Sequence, residues 1–163
     1  MMDHTELTSA ARALTDEYHK AVDELIAVIR PLTPGMLAAI ADPATDNPDC
    51  RSIQTILAHV VHAGFGYTNY MEKHLGDTKQ RPPKELQDTA AAYIRQLQEM
   101  AGYCTAFFRQ HPGIAMEETD NSKKIYTGWG QLYDTEQLME HAIVHILRHR
   151  RQIENFIAQL STL

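Results

Sequence analysis

DTEQLMEHAIVHILRHRRQIENFIAQL, residues 134–160, is the stretch on which the fold turns. Asp134 and Thr135 are good helix N-cap residues, and Gln137 stands where a capping box places its second partner. No Pro or Gly interrupts the run, so it predicts one long helix. At about 100° per residue, Leu138, Ala142, Ile153, Phe156 and Leu160 share a stripe, with His145 and His149 in its middle. Glu140, Arg148, Arg150 and Arg151 point elsewhere, and a solvated helix face accounts for the arginines. Two imidazoles one turn apart therefore face whatever this helix packs against.

A lone histidine on an apolar stripe is ordinarily a core residue satisfied by a hydrogen bond. A pair at i, i+4 shifts the balance, because each buried polar group left unpartnered costs roughly 1–3 kcal/mol. Side chains four apart sit about 6 Å along the axis, so both can converge on one ion, as in helical zinc motifs. His141 lies one turn earlier, toward the edge of the stripe, and reads as an outer-sphere or solvent-facing residue.

The rest of the chain supplies helices for this one to meet. Leu7, Ala11, Leu14, Tyr18, Ala21, Leu25, Val28 and Ile29 predict a helix over 5–31, with His19 off the stripe and exposed. Pro31 and Pro34 close it, 35–41 can add a short extra turn, and 41–50 (ADPATDNPDC) is a polar linker. A second long helix runs from about Ser52 to His74 on the stripe Ile53, Leu57, Val60, Val61, Tyr67 and Met71. His59 sits on the shoulder of that stripe, where a bond to a carbonyl or water would satisfy it, and His62 points away. A third helix is expected over 84–110, with Leu86, Ala90, Tyr93, Leu97, Ala101, Cys104 and Phe108 inward.

Residues 112–133 form a connection long enough to be functional or mobile. Tyr126, Trp129 and Tyr133 within it suit either a pocket rim or a loop packed across the end of the helices. Four amphipathic helices predict an all-α four-helix bundle, a single domain over 1–163. The link between the second and third long helices favours, by its length, a plain antiparallel order.

Composition narrows the function. Net charge of −6 argues against binding nucleic acid through phosphates. No apolar run approaches the roughly 20 residues of a membrane span, and the N-terminus lacks the order of a secretory signal. Cys50 and Cys104 are isolated, which fits a reducing cytoplasm. Neither HExxH nor a Glu-x-x-His pair occurs, so zincin and ferritin-like di-iron sites are excluded.

SIQTILAHV (52–60) and HILRHRRQI (145–153) resemble segments of the DinB/YfiT-like family, whose members are regarded as metalloenzymes. The second segment resembles that family's His-x3-His-Arg-Gly-Gln-Ile signature, with Arg151 in place of the Gly. The resemblance implies a four-helix bundle in up-down-down-up order and a divalent metal held by His59, His145 and His149. It also implies thiol chemistry: transfer of a low-molecular-weight thiol to an electrophile or thiol-dependent isomerisation, with hydrolysis in other members.

Zinc or nickel is the leading expectation for the ion, with iron, manganese and copper next. His62, Tyr70, His141, Trp129 and Gln152 are the expected pocket or outer-sphere residues, and His62, Tyr67 and Tyr70 are the nearest candidates for a base. With no fourth inward ligand beyond His62 or His141, the expected site is open. The expected function is a metal-dependent thiol S-transferase or hydrolase acting on a small electrophile. The alternative is a non-catalytic metal-binding stress-response bundle. Ile143, Val144 and Leu147, off the main stripe, leave room for a homodimer contact or burial against the long loop. A His59 ring more than about 8 Å from the other two, far beyond ligand bonds of about 2 Å, would dissolve the proposed centre.

Overall fold

The computed structural model describes residues 7–162. In chain order come α1 (Ser9–Ile29), the short α2 (Pro34–Ala38), α3 (Ile53–His74), α4 (Ala90–Gln110), the hairpin strands β1 (Ile125–Tyr126) and β2 (Leu132–Tyr133), and α5 (Thr135–Leu160). Side-chain caps set the starts of the long helices. Thr8 accepts from Ala11 N, Ser52 and Thr55 form a reciprocal box on α3, Thr89 caps α4, and Asp134 with Gln137 boxes α5. Residues 5 and 6, the expected beginning of the first helix, lie outside the described residues.

Each long helix buries most of the stripe its sequence marks, with Leu14, Val28 and Leu160 half-buried. α5 packs on α1 and α3, and α4 packs on the same two. Tyr18, Leu25, Leu57, Met71, Tyr93, Leu97, Phe108, Leu138 and Ile153 are all but fully buried between them. Each such apolar side chain contributes about 1.5–3 kcal/mol. Neighbouring helices crowd Gly64 of α3, where a Cβ would collide with Met100 of α4 and meet the Tyr18 hydroxyl of α1. His19 is half-buried rather than exposed, because its Nε2 finds Thr105 Oγ1 at 2.6 Å across the α1–α4 contact.

α4 begins at Ala90, six residues later than its apolar pattern implies, and Leu86 is 58% exposed. Pro82 and Pro83 keep the preceding stretch extended, and Thr89 supplies the cap. That stretch, 75–89, is a strap laid back along α3. Asn69 Nδ2 donates to the Lys79 carbonyl at 2.7 Å, His62 Nδ1 lies 3.2 Å from the Pro82 carbonyl, and Gln54 Nε2 donates to the Gln87 carbonyl at 2.8 Å. The Tyr93 hydroxyl then donates to the Gln54 carbonyl at 2.9 Å. α4 therefore starts beside the start of α3, against the plain antiparallel order that the link length favours.

Within 112–133 the chain forms the hairpin, pairing Ile125 with Tyr133 and Tyr126 with Leu132. Gly130 takes a positive φ of 86° in its loop. Ile143 is half-buried, whereas Val144 and Leu147 stay exposed. Among the described residues no helix is long and apolar enough to cross a membrane.

Candidate metal centre

α3 and α5 meet with three imidazoles between them. The Nε2 atoms of His59 and His145 are 3.0 Å apart, and those of His145 and His149 are 3.2 Å apart. Ring centroids lie 4.4–5.0 Å from one another. The separation that would have dissolved the centre is absent: one nitrogen from each residue falls within 4.8 Å of the other two. His145 and His149 are 5% exposed, and the His59 side chain is 31% exposed.

The outer nitrogens fix how the inner ones behave. His149 Nδ1 sits 2.9 Å from Gln152 Oε1; an amide oxygen only accepts, so Nδ1 carries the proton and the Nε2 lone pair is bare. His59 Nδ1 faces Asp49 Oδ2 at 3.5 Å, which favours the same tautomer. Two lone pairs therefore converge on His145 Nε2, and one proton there cannot satisfy both well. The buried His145 Nδ1 has no hydrogen-bond partner among the described residues.

Burial pushes every one of these rings toward its neutral form. His145 falls to about 2, first through desolvation and then through repulsion from His149 and His59. His149 falls to about 4 through desolvation, which the Gln152 bond only partly opposes, and His59 is lowered chiefly by burial as well. Neutral imidazoles with convergent lone pairs are the donor set that a borderline divalent cation takes, so the residues present fit such an ion.

The cluster opens onto a cleft of about 460 Å³ lined by His59, His145, His62, Tyr67, Tyr70, Trp129 and His141, with Asp49, Arg81, Lys84 and Arg148 among its polar residues. His149 does not line it and lies behind the other two. The expected pocket residues take different places. His62 lines the wall but is turned to the Pro82 carbonyl, outside the three-histidine cluster. His141 stacks on Trp129, centroids 4.8 Å apart and planes 22° apart, with its Nδ1 3.3 Å from the Tyr133 hydroxyl. Trp129 is delivered by the hairpin, which the Tyr70 hydroxyl anchors by accepting from Gly128 N at 2.7 Å. The aromatic loop is thus a pocket rim, and Gln152 acts from behind through His149.

Tyr67 packs edge-on against His141 and His145. Its burial raises the phenol well above the ordinary range, so it stays protonated and is available as a hydrogen-bond donor rather than as a base. Asp49, Arg81 and Lys84 carried no signal in the sequence, and Arg148, expected only on a solvated helix face, also lines the cleft. Asp49 sits in the polar linker and Arg81 and Lys84 in the strap, and only the folded path of those segments carries them to the cleft. Arg148 follows Leu147 on the exposed side of α5 and reaches the cleft from its edge.

The chain is thus a helical protein with three histidines clustered between two facing helices, and sequence comparison gives its family. A sequence model of the DinB family matches residues 1–161, and the chain belongs to that family. A crystal structure from Exiguobacterium sibiricum 255-15, provisionally assigned to the same family, has a similar fold, with a TM-score of 0.61 at 15% identity. That likeness covers 96% of this chain and 95% of the other. No curated protein matches. The departure from the family signature at Arg151 leaves the cluster untouched, because this side chain is exposed and pairs with Glu154 at 3.4 Å.

Proposed function

We propose that this chain is a divalent-metal protein in which His59, His145 and His149 hold the ion through Nε2 at the floor of an open cleft. The cleft would process a small electrophilic molecule, by transfer of a low-molecular-weight thiol or by hydrolysis. The observation that carries this reading is the convergence of three neutral imidazole nitrogens on one another, with no scaffold partner for them among the described residues.

Three protein donors, without a fourth among the described residues, leave positions free, as catalytic rather than closed structural sites do. When bound, zinc or nickel (or iron, manganese or copper) would supply Lewis acidity and lower the pKa of a bound water or thiol. The chain's own residues do the rest. Gln152 holds the His149 tautomer, Tyr67 presents a protonated phenol, and Trp129 with Tyr70 walls one side of the cleft. We read the long helices as a four-helix bundle in up-down-down-up order, which the shared starting end of α3 and α4 supports. The family match over residues 1–161 supports a single domain, and two free cysteines suit a reducing cytoplasm.

Elemental analysis of protein purified without a His tag tests the ion. About one equivalent of a transition metal per chain is expected, and His149→Ala should weaken its binding at least about a hundredfold. Only trace metal, or an unaffected variant, would sink the reading. Assays pairing low-molecular-weight thiols with electrophiles, and hydrolytic assays, test the chemistry on the loaded protein. Metal that raises the melting temperature without any turnover would favour the non-catalytic alternative.

A further inference from the structure

The cleft carries more positive charge than its neighbours neutralise. Arg81, Lys84 and Arg148 line it, against a single carboxylate, Asp49. Lys84 Nζ already pairs with Asp49 at 2.7 Å. Arg81 and Arg148 have no carboxylate partner among the described residues, although the chain as a whole is acidic at −6. Two guanidinium groups without a carboxylate partner beside a cluster of neutral imidazoles make the cleft locally positive in an otherwise acidic protein, and such a field attracts an anion.

Arg81 is also held in place. Its Nη1 donates to the His62 carbonyl at 3.2 Å, and its guanidinium lies against the bare backbone of Gly66, where a Cβ would overlap Nη1 and stand 3.3 Å from Cζ. The strap delivers this side chain from one wall of the cleft, and α5 delivers Arg148 from another. Guanidinium groups match the planar, forked geometry of carboxylate and phosphate oxygens.

We infer that the cleft takes a small substrate bearing a carboxylate or phosphate group, which Arg81 and Arg148 grip while the rest of the molecule lies over the histidine cluster. This deepens the metal reading and rests on it for the reacting centre, but the grip itself is measurable without the ion.

Trp129 is the only tryptophan in the chain and lines the cleft, so its fluorescence reports occupancy. Succinate, inorganic phosphate and neutral succinamide would be titrated into full-length protein, both metal-free and zinc-loaded, at fixed ionic strength. Saturable binding of at least one of the two anions is expected, about tenfold or more tighter than succinamide, and the tighter of the two names the oxyanion. Arg81→Met and Arg148→Met should each weaken it about tenfold. Gly66→Ala should weaken it several-fold by displacing a guanidinium that remains charged. Zinc affinity, measured by chelator competition on the same preparations, should change little in these variants.

Arginine variants that bind like the wild type, succinamide that matches succinate, or no anion binding at all would overturn the inference. Arginine-dependent anion binding by a protein that takes neither zinc nor nickel, iron, manganese or copper would overturn the metal reading and leave the grip standing. Zinc binding with arginine-independent anion binding would do the reverse.

Discussion

Histidine sits in two of the helix contacts of this protein, with opposite outcomes. Between α1 and α4, His19 Nε2 meets a scaffold partner, Thr105 Oγ1, at 2.6 Å. Between α3 and α5, the Nε2 atoms of His59, His145 and His149 have, among the described residues, only one another as hydrogen-bonding partners. The residue type is the same, and so is the setting between packed helices. What separates a structural histidine from a candidate ligand is whether the scaffold supplies the complementary atom.

The largest effect that would break this contrast is one of pH on the ion-free protein. With His149 at about 4 and His145 at about 2, the unfolded chain, whose imidazoles titrate near 6.5, binds protons first as the pH falls. Stability is therefore complete above about pH 6.5 and declines on acidification, with the His149 share lost progressively down to about pH 4. That share is on the order of 3 kcal/mol. Denaturant unfolding from about pH 7 to about pH 4 should show it, with a shallower slope in His149→Gln. Equal slopes in the two proteins would mean that the rings are solvated and the cluster is not a buried one.

A smaller effect sharpens the comparison from the outer side. Gln152→Ala leaves His149 in place but frees its tautomer, and metal affinity should fall about tenfold, the low end for loss of such a partner. Chelator competition measures it, and an unchanged affinity would show that the 2.9 Å contact orients nothing. The smallest effect belongs to the other contact. Thr105→Val should cost about 1 kcal/mol of stability and leave metal affinity alone. A loss of metal in that variant would erase the distinction between the two contacts.

The helices were readable because their determinants are local. Asp134 and Gln137 announce the start of α5, and the 3.6-residue spacing that buries Leu138 and Ile153 also carries His145 and His149 inward. His59 showed as a shoulder residue and stands as one, half-exposed at the floor of the cleft. The failures share a physical cause. Leu86 fits the apolar period of α4, yet two prolines and the Thr89 cap hold it outside the helix. Strands of two residues are too short for an alternation to register, so the hairpin that presents Trp129 was invisible. Asp49, Arg81 and Arg148 have no pattern in their own segments that marks them, because the chain path along α3 and across to α5 brings them together.

Asp134 binds in two directions: Oδ1 accepts from Gln137 N at 2.8 Å and Oδ2 from Glu118 N at 3.2 Å. The rotational phase of α5 is thereby pinned to the preceding segment three turns before His145. An insertion of one residue between Asp134 and His145 would swing both imidazoles by about 100°, away from His59. The loop between α4 and Asp134 carries none of the three clustered histidines, so its length does not set their phase. Length variation among relatives that keep this centre should therefore collect before the pin and be scarce after it.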